Sequence, residues 1–583
     1  MGLSDPYVKA IRWASDRIGD EGVVAFITND SFLNSVMADG MRLHLAKDFD
    51  LLYILDLGGN VRINPRLSGT THNVFGIQVG VSINFLVRSK RLRPSEGSTI
   101  LHYATDGFWR KEQKFSFLDE VGTIANVKWA RLRPDEKNNW LTQGLRSDYD
   151  SLIPLGIKSS KSGAGRVEAV FDLYSKPNDS GRDDWVYNHD LAALQRSVQL
   201  FVDTYNSELD RWKRAGRPKE IDEFLTSDTK RIKWTRNAKR DLRLGRIVHF
   251  DKECIRTSIY RPFSKSLLYT GKIFNKEVAL FPKILPTPES EAENRIICIA
   301  GIGNRQQFGG LAINAIPPLD IAFEKNQNFP FYTYAEDGTH RRENITDWAL
   351  EQFRARYRDP AITKWDIFHY IYAVLHHPEY RERYAANLRR ELPRIPFIGC
   401  HPEAVESHAQ RATPNEGPMQ PAGSIDTADK SIGPSARKER GPQDDKEVFR
   451  AFAKAGQRLA EIHVHYEQQP EYPLTKTEKK GEKLDYRVTK MKLSKDKSTL
   501  IYNQFLTLSG IPKETYEYRL GNRSALEWIV DQYQISTDKR SGITNDPNRN
   551  DDPQYILRLI AQVTTVSLET VKIVESLAHL ALP

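Results

Sequence analysis

Residues 401–446 contain no Phe, Tyr or Trp and are rich in Pro, Gly, Ser, Ala and charge. A stretch of that composition buries too little apolar surface to offset the entropy of ordering it. His401–Lys446 is therefore expected to be a disordered linker, which splits the 583-residue chain into a long first part and a shorter second one. Three or four domains fit this length. Apolar residues make up 39% and charged ones 28%, the balance of a globular protein in water. No apolar run reaches membrane-spanning length and no signal-peptide pattern opens the sequence, so no membrane partner is expected. The three cysteines, Cys254, Cys298 and Cys400, are far apart, without zinc spacing or a disulfide framework, which fits a cytoplasmic location. The net charge of +9 suits a polyanion partner, although many basic proteins bind none.

Residues 1–90 read as α/β. Ser4 or Asp5 caps a helix with Pro6 at its first position, and Tyr7, Ala10, Ile11, Ala14 and Ile18 form its apolar stripe. Val23–Thr28 is a continuous apolar strand, as in a parallel sheet covered on both faces. A helix over Met37–Lys47 and strands over Leu51–Leu57 and Gln78–Arg88 follow, which predicts part of a doubly wound sheet. Asp56-Leu57-Gly58-Gly59-Asn60 looks like the glycine-rich loop of an S-adenosylmethionine site. Such a loop must open a helix, and Val61–Gly69 is polar and broken by Pro65, so no cofactor is expected to bind this chain. There is no Walker A pattern, and no metal-spaced or triad-like cluster.

From 91 to 400 short strands and helices alternate in an α+β pattern. Thr229–His249 is the most basic stretch, with eight Lys or Arg against one acid, Asp241. Thr235 caps a short helix there and Gly245 ends it. Trp234, Arg236, Lys239 and Arg240 suit stacking and phosphate contact, the alternative being a solvated helix face. Arg261 and Lys265 follow in Cys254–Tyr269. In Ile296–Ile321 a polar loop carries Arg305 and Gln307, side chains of the types that read guanine and adenine; an ordinary hairpin end has the same look.

Trp365–Phe397 reads as a helical hairpin with an aromatic interior and a basic exterior. Thr363 and Asp366 form a capping box, Pro378 ends the first helix, and Pro393 and Pro396 end the second. After the linker, residues 447–583 are expected to form a C-terminal α+β domain. Its elements are a helix over Phe449–Glu467, strands over Tyr486–Leu493 and Thr499–Leu508, and a second capping box at Ser524 and Glu527. Helices over Asp552–Val563 and Leu568–Leu580 close the chain.

Three phrases carry a family resemblance: WDIFHYIYAVLHHPEYRERYAANLRRELPRIPF at Trp365–Phe397, Tyr260-Arg261-Pro262-Phe263, and YRLGNRSALEWIVDQYQISTDKRSGITNDPNRN at Tyr518–Asn550. They resemble the C-terminal region of Type ISP restriction–modification enzymes, which are single-chain DNA translocases, nucleases and adenine-N6 methyltransferases. Ala25–Leu33 and Asn73–Val81 look like the segments that follow the catalytic (N/D)PP(Y/F) loop in such methyltransferases. The resemblance implies a base pocket at Asn29, Phe32 and Phe75, with Phe75 stacking on an extruded adenine. It also implies double-stranded DNA as partner and S-adenosylmethionine as the cofactor of the full-length family.

No NPPY or DPPY tetrapeptide occurs. The chain is therefore expected to begin inside a methyltransferase domain and to bind DNA without transferring methyl groups alone. An upstream methyltransferase, helicase and nuclease polypeptide would complete it. Two other readings stay open from the residues themselves: an independent enzyme with an unrecognised site, and a non-enzymatic assembly protein.

Overall fold

A computed structural model describes residues 5–60, 71–91, 97–158, 167–304, 306–399 and 442–579. The expected linker lies outside the described residues up to 441. Helix α1 spans Pro6–Arg17 and is followed by strand β1 (Gly22–Asn29), helix α2 (Asp39–Asp48), β2 (Leu51–Gly58), β3 (Val81–Arg88), β4 (Thr99–Ala104) and β5 (Ala130–Leu132). The strands form one sheet in the order β1-β3-β2-β4-β5. Only β2 and β4 run parallel, while β3 lies antiparallel between β1 and β2. The sheet is thus mixed where the sequence suggests parallel strands, and it continues to Leu132, past residue 90.

Alternation along the strands separates the two faces. Val24, Leu86, Leu52 and Ile100 are buried with Ile11 of α1, Met41 and Leu45 of α2, and Trp140. On the other face Val23 and Ile27 are 60% and 54% exposed. β1 is therefore an edge strand with one open face, although its unbroken apolar sequence reads as doubly covered.

A second core runs without a break from Tyr149 to Leu577 and joins the parts on either side of 401–441. Its helices include α3 (Leu191–Arg214), α4 (Arg236–Arg243), α5 (Asp347–Tyr357), α6 (Lys364–Val374), α7 (Pro442–Val464), α8 (Ala525–Gln532) and α9 (Tyr555–Ala578). The capping box that starts α6 is formed: Thr363 Oγ1 accepts from the Asp366 N–H at 3.1 Å, and Asp366 Oδ2 accepts from the Thr363 N–H at 2.8 Å. Beyond Pro378 the chain makes two short helices, Pro378–Arg383 and Ala385–Leu388, in place of one longer helix. Its exterior is less basic than the sequence suggests, since Arg381 Nε donates inward to the Leu375 carbonyl at 2.6 Å.

α7 begins before Glu447, where order was expected to resume, and lies along α6. Phe449 stacks on Tyr370 with centroids 5.1 Å apart, and Arg450 reaches Asp359 at 2.7 Å and Asp366 at 3.1 Å. His463 Nδ1 lies 2.6 Å from Tyr372 Oη of α6, and its Nε2 lies 2.9 Å from Thr570 Oγ1 of α9. Phe449, Phe452, Leu459 and Ile462 are all buried, each worth about 1.5–3 kcal/mol. α9 is one helix where two were expected. Thr564, Ser567 and Thr570 donate their hydroxyls to carbonyls four residues back at 2.7–2.8 Å. No helix among the described residues is long and apolar enough to cross a membrane.

Candidate nucleic-acid interface

The basic stretch is built on α4. Thr235 Oγ1 accepts from the Ala238 N–H at 3.3 Å and caps the helix; Gly245, at φ 72°, ends it. Ala238 and Leu242 enter the core, which turns the cations outward. Asp241, 7% exposed, holds Arg246 at 2.9 Å and Arg240 at 3.3 Å. Lys239 pairs with Asp222. Arg236 is exposed, with no ion pair among the described residues. Trp234 is partly buried: its Nε1 donates to the Thr226 carbonyl at 3.0 Å and its ring meets Tyr205.

Strands β6 (Ile255–Arg261) and β7 (Ser264–Tyr269) present Tyr260-Arg261-Pro262-Phe263 at their turn. Proline holds φ near about −65°, and Phe263 takes φ 58°, a strained value for an aromatic residue. Burial of the Phe263 ring against Tyr466 and Tyr518 holds it there. The Arg261 guanidinium lies 4.2 Å from the Tyr260 ring centroid, and Tyr260 Oη donates to Asp183 at 3.1 Å. Lys265 is tied to Glu467, which follows α7. Gln307 is exposed in its loop, and Arg305 lies outside the described residues.

The structure adds a segment that sequence reasoning missed. Strands β8 (Ser536–Thr537) and β9 (Thr544–Asn545) form a hairpin against the start of the basic stretch. Thr229 Oγ1 donates to the Arg540 carbonyl at 3.0 Å, and Asn188 Nδ2 donates to the Thr544 carbonyl at 3.1 Å. The hairpin, Lys233, Arg261 and Asp183 wall a cleft of about 710 Å³. A charged turn between two polar dipeptides, Asp538-Lys539-Arg540-Ser541, was the available signal.

The residues named for a base pocket sit at the first sheet. Asn29 ends β1 and accepts from the Ser31 N–H at 2.7 Å. Phe75 is 60% exposed, on a loop that Asn73 Oδ1 organises by accepting from the Phe75 and Ile77 N–H groups. Phe32, 2% exposed and edge-on to Trp140, is a core side chain and cannot face a base. Asp30 lies beside them, 7% exposed against Gly80, and burial followed by repulsion from Asp56 pushes its carboxyl up to about 7. Gly59, at φ 83°, packs closely against the His72 and Asn73 backbone. Among the described residues no group of three or more His, Cys, Asp or Glu is placed to hold a metal ion.

The family model for the Type ISP C-terminal specificity domain matches residues 169–404 and 443–559, more than half of the chain. The chain belongs to this family. Its Type ISP match contains the basic helix, the Tyr260–Phe263 turn and the β8–β9 hairpin, and leaves the first sheet outside. Solved structures are similar across nearly the whole chain. A nuclease-deletion mutant of the Type ISP enzyme LlaGI, in complex with a DNA substrate mimic, is 30% identical with TM-score 0.79. The DrdV–DNA complex is 33% identical with TM-score 0.78, and the ATP-dependent Type ISP enzyme LlaBIII bound to DNA is 28% identical with TM-score 0.81. The matches cover 100%, 98% and 100% of this chain but 49%, 52% and 34% of those chains, so it spans about half the length of the LlaGI deletion mutant and of DrdV. A search of curated proteins returns no match.

Proposed function

We propose that this chain is the DNA-specificity portion of a Type ISP restriction–modification enzyme and binds duplex DNA through the surface around α4. The observation that carries the reading is its similarity over its whole length to Type ISP structures held on DNA, with the basic stretch inside the matched specificity region. Phosphates would meet Arg236 directly. Lys239 and Arg240 would reach them by exchanging Asp222 and Asp241 for the DNA backbone.

In the same reading, the first sheet is the distal part of an adenine-N6 methyltransferase domain. Its reaction is transfer of a methyl group from S-adenosylmethionine, completed by an upstream polypeptide. Two features support this. β1 is an edge strand of interior composition with exposed Val23 and Ile27, the form of a sheet awaiting further coverage. Phe75 is an exposed aromatic on an ordered loop, able to return stacking energy to an extruded base. In this reading S-adenosylmethionine is held by the upstream part.

The test is a titration with duplex DNA at several salt concentrations. Wild type should bind with a steep salt dependence. The variant R236A/K239A/R240A should bind specific and non-specific duplexes more weakly, with the slope of log K against log salt reduced by about 0.9 per lost contact. A folded wild-type chain that binds no duplex would overturn the reading.

A further inference from the structure

We infer that the β8–β9 hairpin, Ser536–Asn545, is a second phosphate-contacting element that extends the basic surface of α4, about 300 residues away in sequence. The inference rests on the DNA-binding reading above and adds a site to it. Three observations carry it.

The hairpin tip is pre-shaped. Asp538 Oδ1 accepts from the Arg540 N–H at 2.9 Å and the Ser541 N–H at 2.8 Å, and the Gly542 N–H donates back to the Asp538 carbonyl at 2.9 Å. These bonds, the one to Ser541 first, hold the Asp538 carboxyl below its usual range and keep it charged as the lock of the turn. Lys539 and Arg540 are left exposed at the tip. A preformed turn loses little conformational entropy on contact, so each cation delivers more of its charge interaction.

The hairpin is also fastened to the basic stretch. Thr229 bonds the Arg540 carbonyl at 3.0 Å, and the His189 N–H donates to Asn545 Oδ1 at 3.0 Å. Lys230 and Arg231, next to Thr229, are exposed, so Lys230, Arg231, Lys539 and Arg540 form one patch made from both parts of the chain.

The cleft beneath the patch repels phosphate. Carboxylates outnumber cations on its walls, with Asp183, Asp184 and Asp531 among them. A polyanion is thereby confined to the cationic rim, where the hairpin tip stands. A duplex lying along the rim has the charge pattern this surface fits.

The full chain as it stands is compared with K539A/R540A and with K480A/K483A. The latter removes two exposed lysines of equal charge from the turn after Glu478. Duplex binding is titrated from low to high salt, with thermal unfolding to confirm the fold. Two lost contacts lower the slope by about 1.8, which at 0.1 M salt is roughly a 60-fold loss of affinity. K539A/R540A should show a loss of this kind and K480A/K483A should not. If wild type binds but K539A/R540A keeps its affinity and slope, the hairpin is not a contact and the DNA-binding reading stands. If both variants weaken equally, net charge alone acts and the inference fails. If wild type binds no duplex, the underlying reading fails first.

Discussion

Gly456 offers the sharpest test of how the two parts of the chain fit together. It lies in the middle of α7, where glycine costs about 1 kcal/mol relative to alanine. Were α7 a free or loosely attached helix, Gly456→Ala would stabilise the protein by roughly that amount. In the docked structure an added Cβ would lie 1.8 Å from the His369 carbonyl oxygen of α6 and 3.1 Å from the Ala373 nitrogen. Both are backbone atoms, so no side-chain rotation relieves the clash and the helices must part by an ångström or more. Overpacking of this kind costs about 1–3 kcal/mol. Separation would also loosen the Phe449 stack and the Arg450 bridge to Asp359 and Asp366. Because backbone must move, the cost sits at the upper end of that range, and subtracting the alanine gain of about 1 kcal/mol leaves a net loss of about 2 kcal/mol, opposite in sign to the free-helix value. Denaturant unfolding of both proteins measures it. A midpoint unchanged or raised in G456A would refute the docking of α7 on α6.

A protease site inserted within 401–441 and then cut should leave two pieces that co-elute on gel filtration, because α6, α7 and α9 share one core; separation without denaturant would contradict that core. Asp30 should impose a pH dependence on stability. Its folded carboxyl titrates at about 7 and its unfolded one near 3.8, so the folded state binds the extra proton and stability falls as pH rises from 4 to 7. Asp30→Asn should flatten that part of the stability profile, and an unaltered slope would show that the carboxyl is already ionised there. Incubated alone with duplex DNA and labelled S-adenosylmethionine, the chain should transfer no label to adenine; incorporation above background would defeat the proposal of a divided site.

Local signals in the sequence were dependable where one backbone group meets one side chain. The boxes at Thr363 with Asp366 and Ser524 with Glu527, and the Thr235 cap, are all formed. Readings that depended on partners distant in sequence went astray. The unbroken apolar run of β1 said nothing of which face would be covered. The ion pair of Lys265 is likewise invisible in its own stretch, because Glu467 lies about 200 residues away. Thr564 and Ser567 lie in the gap between the two helices expected at the C-terminal end, and their capacity to bond their own backbone in a buried helix is invisible without the packing. The β8–β9 hairpin escaped notice because two-residue strands carry almost no periodicity, and its value comes from lying against Thr229.

Selection from a pool of randomised duplexes tests the central claim most directly. The chain is incubated with the pool at moderate salt, bound DNA is recovered and amplified over several rounds, and the survivors are sequenced. A specificity portion should enrich one short sequence, and duplexes carrying it should outcompete scrambled duplexes of equal length and charge. Recovery of DNA with no sequence enriched, or competition equal between the two, would show that the basic surface binds phosphate alone and contradict the account.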